Sequence, residues 1–317
     1  MKSELNGLRA REDYYLLHEY LEEYNQPIYF HQFIERVQQH GLQYLGEADF
    51  GVMSTAGFPE SAQAMLRAVS ANRVEMEQYQ DFLRNRMFRQ TLLCRSDQKI
   101  AVEPQIDALP RMYVASSAKA SGPVDLKSAQ PNKFSTGDSQ LTTTDSLVKA
   151  AMLELAAIWP RNIRFGSLLA KAAARISGEA AVIDTSRNSA FGRRLAEPLL
   201  KCYATGVVEL SVSESNFRTE IDTKPVADSL ARYQAAGGLP VTNRRHQTLN
   251  LSDFQRHVLA SLDGTRDTGA LLNEIQNLAS SGRIIIQQDE TGSPTTDNLD
   301  LKVSNILREL ANMTLLV

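Results

Sequence analysis

Apolar positions in the first hundred residues recur at three- and four-residue intervals, interrupted by proline and glycine. Tyr14, Leu17, Leu21 and Tyr24 share one face of a helix that Asp13 can cap. Pro27 breaks this pattern, and Phe30, Phe33, Ile34 and Val37 define a second short helix, with Gly41 as its left-handed stop. Leu42 to Leu45 predicts a short strand, Pro59 opens a third helix in its first turn, and Asn72 starts a long fourth. In that helix Val74, Tyr79, Phe82 and Leu83 fit a 3.6-residue period. Near Met87 the period changes, and Phe88 to Cys94 reads as a strand.

Residues 96 to 144 are poorer in helix signal. Arg111 to Ser117 and Lys133 to Thr142 read as strands, separated by the turn-rich Ser121-Gly122-Pro123 and Gln130-Pro131-Asn132. Helices resume at Thr144 or Asp145, an N-cap for a segment carrying Leu147, Val148, Met152 and Leu155. Phe165 to Ile176 and Ala190 to Ala204 give two more, with Gly206 as a stop, and Val207 to Val212 then alternates as a strand does. Three helices followed by a β element is the order of a winged helix. A linker is expected from about Asp222 to Asn243, around Lys224-Pro225 and Gly237-Gly238-Leu239-Pro240. Beyond it, Leu251 to Leu262, Thr268 to Leu278 and Leu299 to Leu310 read as helices. Arg283 to Gln288 and Met313 to Val317 read as strands, and Asp289 to Asp297 as a loop or wing. The expected class is α+β, mainly α: an N-terminal helical module over 1–95, a middle domain with strands and a winged-helix-like bundle over 96–222, and a C-terminal winged-helix-like domain over 223–317.

Composition adds exclusions. No apolar run reaches the roughly 20 residues that span a bilayer, and the N-terminus has no signal-peptide core, so a cytoplasmic protein is expected. Cys94 and Cys202 match no metal spacing and read as buried free thiols of a reducing compartment, with a pairing between them as the alternative. A net charge of −3 argues against a protein dominated by phosphate-backbone binding. The charge is uneven, however. Trp159 to Lys201 holds eight basic against three acidic residues, while Arg11 to Phe50 holds eight acidic against two basic ones. Such asymmetry orients partners or domains, or reflects solvated helix faces.

The run from Tyr79 to Cys94 crowds Arg84, Asn85, Arg86, Arg89 and Gln90 among apolar residues where helix gives way to strand. Guanidinium groups at such a junction suit planar recognition of carboxylates or carbonyls. Two uses are open. The arginines face a partner together with part of the dense aromatic set Tyr14, Tyr15, Tyr20, Tyr24, Tyr29, Phe30, Phe33 and Tyr44, or they cross-link the module through Glu47, Asp49 or Asp81. Arg84, Asn85, Arg86, Arg89, Tyr29 and His31 are the candidate partner-binding residues.

Together with Tyr14 to Tyr20 and Pro27 to Ala48, this run resembles the bacterial methyltransferase regulatory domain, over roughly residues 11 to 95. The rest resembles more loosely the C-terminal half of the same enzymes, chiefly through Leu262-Asp-Gly-Thr-Arg-Asp-Thr-Gly-Ala-Leu-Leu272. In that family the module accompanies an S-adenosylmethionine-dependent methyltransferase domain, and some relatives are protein-lysine methyltransferases. The resemblance implies a regulatory or substrate-engaging role whose partner is the catalytic domain or its protein substrate.

The cofactor turn of such a catalytic domain is missing from this sequence. Leu42 to Gly57 supplies Asp49 and Gly51, but no paired glycine and no βαβ unit. Neither cysteine has an electropositive loop setting, Ser54 and Ser61 lack a nucleophile elbow, and His18, His31, His40, His246 and His257 show no zinc spacing. No catalytic, cofactor-binding or metal-ligating residue is assigned. The alternative reading is a winged-helix DNA-binding regulator using Arg161, Arg164, Lys171 and Arg175, against which the overall acidity stands.

Overall fold

Helices make up most of the secondary structure and short antiparallel strands lie between them, an α+β fold that is mainly α. The computed structural model describes residues 2–9, 11, 13–101, 105–178, 190–284 and 299–317, in two units, Met1–Pro104 and Gln105–Val317.

The first unit begins with α1 (Lys2–Arg9), which the apolar pattern does not announce, and α2 (Asp13–Glu19). Helix α2 is shorter than the expected face from Tyr14 to Tyr24. Tyr24 lies beyond its end, and Leu17, Leu21 and Tyr24 are exposed. α3 (Phe30–Gln39) follows, and Gly41 takes the left-handed φ of +69° that its stop requires. β1 (Leu42–Glu47), α4 (Glu60–Val69), α5 (Arg73–Arg84) and β2 (Thr91–Arg95) complete the unit. Asn72 caps α5 by accepting from the Glu75 N–H at 3.0 Å. β1 and β2 pair antiparallel from Leu42 opposite Arg95 to Glu47 opposite Thr91, with a bulge at Leu45. The bulge puts Tyr44 and Glu47, three residues apart, both in the interior.

Helix α5 is inside out. Its buried face holds Glu77, Gln78, Gln80 and Asp81; with the half-buried Val74, the only apolar member, Glu77, Gln78 and Asp81 form an i, i+3, i+4, i+7 set. The apolar Tyr79, Phe82 and Leu83 lie on the exposed side. The apolar core beneath is small: Phe30, Ile34 and Tyr44, backed by Phe33, Val74 and Leu93.

The second unit has two apolar cores that share no residue. The first core is built from β3 (Tyr113–Ala115), β4 (Lys119–Ala120), β5 (Asn132–Thr136), β6 (Ser139–Thr143), α6 (Ser146–Ile158), β7 (Ile163–Arg164), α7 (Phe165–Ser177), α8 (Ala190–Ala204) and β8 (Glu209–Ser211). The strands form two sheets, β7-β3-β8 and β4-β5-β6. The single strand expected over Lys133 to Thr142 is a hairpin, because Gly137 turns the chain at φ +51° and sets Thr136 opposite Ser139. Asp145 caps α6 as its position predicts, accepting from Leu147 N–H at 2.7 Å and Val148 N–H at 3.1 Å. Leu147, Val148, Met152 and Leu155 are buried, and so is Lys149, whose Nζ donates to the carbonyls of Ser128 at 2.9 Å and Gln130 at 2.6 Å.

The expected linker is partly folded. Between its two breaker clusters, α9 (Ser229–Ala236) is capped by Asp228, which accepts from Leu230 N–H at 3.0 Å, and Ala231 and Ala235 enter the second core. Helix signal in eight residues between a proline and a glycine pair is too short to outweigh the breakers. β9 (Val241–Thr242) and β10 (Thr248–Leu249) form a hairpin, followed by α10 (Asp253–Ala260), α11 (Thr268–Ser280) and α12 (Leu299–Asn312). Met313 to Val317 does not form the expected strand; it makes one bridge, Leu316 opposite Ala227. Arg283 and Ile284, the start of the strand expected to Gln288, are not in a strand, and the rest of it and the wing expected from Asp289 to Asp297 lie outside the described residues.

Asp263-Gly264-Thr265-Arg266 is a corner. Gly264 has φ +82°, and a Cβ there would stand 2.8 Å from Val226 Cγ2. Asp263 accepts from the Thr265 N–H and hydroxyl and from Arg266, which together hold its carboxyl well below the usual range.

Candidate functional site

The densest side-chain chemistry lies beneath α5. Arg89 sits in the extended segment between α5 and β2, where its side chain is nearly buried. Its Nε and Nη2 grip Asp81 Oδ2 and Oδ1 at 2.9 and 2.8 Å, a bidentate pair. Nη1 donates to Glu47 Oε1, and Nη2 also reaches the Glu77 carbonyl at 3.0 Å and Glu77 Oε2 at 3.1 Å. Its guanidinium carbon lies 3.7 Å from the Phe30 ring centroid. Phe30 meets Tyr44 edge to face at 5.0 Å, and Arg73 covers Tyr44 at 4.7 Å. Two cations and two rings thus form one chain of contacts through the small core.

Glu47 collects the other donors. The Tyr44 hydroxyl at 3.2 Å, the Thr91 hydroxyl at 3.1 Å and the Gln90 N–H at 3.1 Å all end on its carboxylate. Burial works against the charge on Arg89, but the hydrogen bonds and charges of Asp81, Glu47 and Glu77 outweigh it and raise its pKa further. Burial raises Glu77 above the usual carboxylate range against the pull of Arg89 and Arg86. Burial, with Glu77 and Glu47 nearby, also lifts the Tyr44 hydroxyl well above its ordinary value.

The sequence candidates divide as follows. Arg86 donates to the Val52 carbonyl at 2.8 Å, and its Nη1 stands 3.3 Å from Asp81 Oδ1 without hydrogen-bond alignment. Arg84 donates to the Ser54 carbonyl at 2.6 Å and covers the Phe58 ring at 4.7 Å. Asn85 ends α5 in the left-handed region at φ 48°. The Gln78 side-chain carbonyl pairs with the His31 backbone N–H and Nδ1, both at 3.2 Å, and His31 stacks on the exposed Tyr29. Of the two uses open to the arginines, the internal cross-link describes Arg89, through Glu47, Asp81 and also Glu77, and Arg86, which is ion-paired with Asp81 and Glu77. Asp49 is not in this network: it accepts from Gly51 N–H at 2.8 Å and caps a turn. Sequence reasoning missed Glu77 and Gln78; their signal was the i, i+3, i+4, i+7 spacing with Val74 and Asp81.

A cavity of about 660 Å³ opens between the start of α3 and the end of α5, lined by Tyr29, Phe33, Phe82, Met87 and Phe88 above a floor containing Asp81, Arg86 and Arg89. Met87 is 77% exposed, Phe88 74%, Phe82 57% and Leu83 55%, and the first three line this one cavity.

In the second unit, Arg175 pairs with Glu154 and Arg194 with Asp145, while Arg161, Arg164 and Lys171 are exposed. Cys94 and Cys202 are free thiols, and burial pushes Cys202 up to about 11, so it stays protonated. Among the described residues, no group of three His, Cys, Asp or Glu side chains is placed to hold a metal ion, and no helix is long and apolar enough to cross a membrane.

Two family models fall on the two ends of this architecture. One, described as a predicted methyltransferase regulatory domain, matches residues 12–95. That match lies within the first unit and runs from the start of α2 to the end of β2. The other, described as the C-terminal winged helix domain of PKMT, matches residues 223–315. The structure of PKMT2 from Rickettsia typhi superposes with a TM-score of 0.80 at 25% identity, covering 99% of this chain and 63% of PKMT2. The same protein in complex with AdoHcy gives 0.81 at 26% identity. An uncharacterized protein of Rickettsia prowazekii is 28% identical over 298 residues, 91% of this chain and 52% of the relative. A second from the same organism is 24% identical over 237 residues. The chain thus spans about half the length of the first of these relatives and under two thirds of PKMT2.

Proposed function

We propose that this chain is the non-catalytic, regulatory or substrate-engaging part of a methyltransferase system acting on protein. It works in the cytoplasm and contacts the methyltransferase catalytic domain or its protein substrate through the outer face of the first unit. The observation that carries this reading is the inverted helix α5. A stripe of charged and amide side chains is held inside by Arg89, so Tyr79, Phe82 and Leu83 are turned outwards beside Met87, Phe88 and Tyr29. Aromatic and methionine side chains around a cavity are the composition of a protein-binding hot spot. Arg84, Asn85 and His31 rim this surface; Arg86 and Arg89 hold its shape from below. Binding one conformation of the partner would shift its activity by the difference in affinity between its states. Binding of S-adenosylmethionine and methyl transfer fall to the partner, a reading supported by the lack of a paired-glycine turn in the sequence.

The test is a pull-down of the cognate methyltransferase by the full chain and by Phe82→Asp with Met87→Asp. Loss of capture at an unchanged melting temperature is expected. Equal capture would reject this face as the contact.

A further inference from the structure

The hairpin β9–β10 does more than pair two short strands. Asn243, itself buried, organises the turn between them: its Oδ1 accepts from the N–H groups of Arg245 and Gln247, both at 2.9 Å, and its Nδ2 donates to Gln247 Oε1 and to the Met313 carbonyl, both at 3.0 Å. His246 takes φ 58° to close the turn. So braced, the tip keeps Arg244 against the end of the second core, its N–H donating to the Thr314 carbonyl at 3.2 Å, and turns Arg245 towards the first. Arg245 lies 4.6 Å from the Trp159 ring centroid and 5.6 Å from that of Phe217, and it is ion-paired with Glu209. Arg244 donates to Asn216 Oδ1 at 3.2 Å and weakly to the Asn216 and Leu316 carbonyls at 3.4 Å. Trp159 and Glu209 flank the first core, whereas Asn216 and Phe217 belong to the segment that joins the two.

We propose that this tongue is a latch that fixes the winged-helix core on the middle core, with the Arg245–Glu209 pair as its release point. Three observations point this way. The two cores share no buried residue, so apolar packing does not by itself fuse them. The grip is one-sided, because the Arg245 side chain is 13% exposed and that of Glu209 51%, so the acid can swing into solvent while the arginine stays. The fit is also incomplete: Arg245 Nε is buried without an acceptor, and a cavity of about 410 Å³ runs beside it between Asn162, Ser213 and Asn216. A contact that leaves a buried donor unmet is less costly to open than a fully satisfied one.

Trp159, the only tryptophan, reports on the latch directly. In the full chain, Arg245→Ala should shift Trp159 emission to longer wavelength and split the unfolding of the second unit into two calorimetric transitions, with far-ultraviolet circular dichroism unchanged. Arg245→Lys keeps a charge but loses the flat stacking surface, so emission stays shifted. Glu209→Gln should shift emission less than either. Phe217→Ala, which alters neither core, should reproduce the split. An unsplit transition with unshifted emission in Arg245→Ala, or an unsplit transition in Phe217→Ala, would overturn the latch. Collapse of the dichroism signal in Arg245→Ala would overturn it too, by making Arg245 a strut of the fold.

Discussion

Arg89 and Glu47 stand 42 residues apart in sequence and are joined by a direct hydrogen bond between guanidinium and carboxylate. That bond ties the far end of β1 to the segment entering β2, and Asp81 on the same arginine ties α5 to both. Three carboxylates, of Glu47, Glu77 and Asp81, share Arg89, so none of the three is independent of it.

Arg89→Ala should therefore destabilise the first unit by about 3–5 kcal/mol, the cost of leaving buried charges without their partner. Arg89→Glu should prevent this unit from folding. Chemical denaturation followed by circular dichroism measures the first, and a loss under 1 kcal/mol would mean the carboxylates find other donors.

Glu77→Gln should behave differently. Because burial raises its pKa in the fold, Glu77 binds its proton there at pH values where the unfolded chain has released it. Stability from this group is thus highest below the ordinary carboxylate value of 4.5 and falls as pH rises towards the raised value. The substitution should flatten that slope and leave stability at neutral pH unchanged or higher. Unfolding curves from pH 4 to 8 test the sign, and a loss of several kcal/mol at pH 7 would show that the charge is required.

Phe82→Ala should lower affinity for the partner by about 2 kcal/mol or more if the outer face of α5 is the hot spot, with little effect on melting. Tyr233→Ala, more exposed still but in the second unit, serves as the control and should leave affinity within about 0.5 kcal/mol. Titration calorimetry with the methyltransferase separates the two.

S-adenosylmethionine should not bind the isolated chain. Asp49 and Gly51, the nearest approach to a cofactor turn, are tied to each other in a capping bond. Stoichiometric heat at micromolar ligand would refute this.

Gly264→Ala should cost about 1–3 kcal/mol, because the residue occupies the left-handed region and the new methyl meets Val226. A neutral result in thermal unfolding would mean that the corner can rearrange.

The amino-acid sequence by itself determined where most helices begin and end. Asn72, Asp145 and Gly41 are local devices, each satisfying backbone groups of its own neighbourhood, so they are legible without the fold. The same is true of the spacing that puts Val74, Glu77, Gln78 and Asp81 on one face. What spacing cannot give is which face turns inwards. Hydropathy points to the face with Tyr79, Phe82 and Leu83, and the structure buries the other. The reason lies outside the helix. Arg89 and the Thr91, Gln90 and Tyr44 donors around Glu47 converge only when β2 returns beside β1, and this convergence turns buried carboxylates from a large desolvation cost into a paired network. The same limit hid α9, whose apolar residues are recognisable as core only once α10 and β9 pack against them. Local capping was written in the sequence; the direction of burial was decided by residues brought together from 42 positions away.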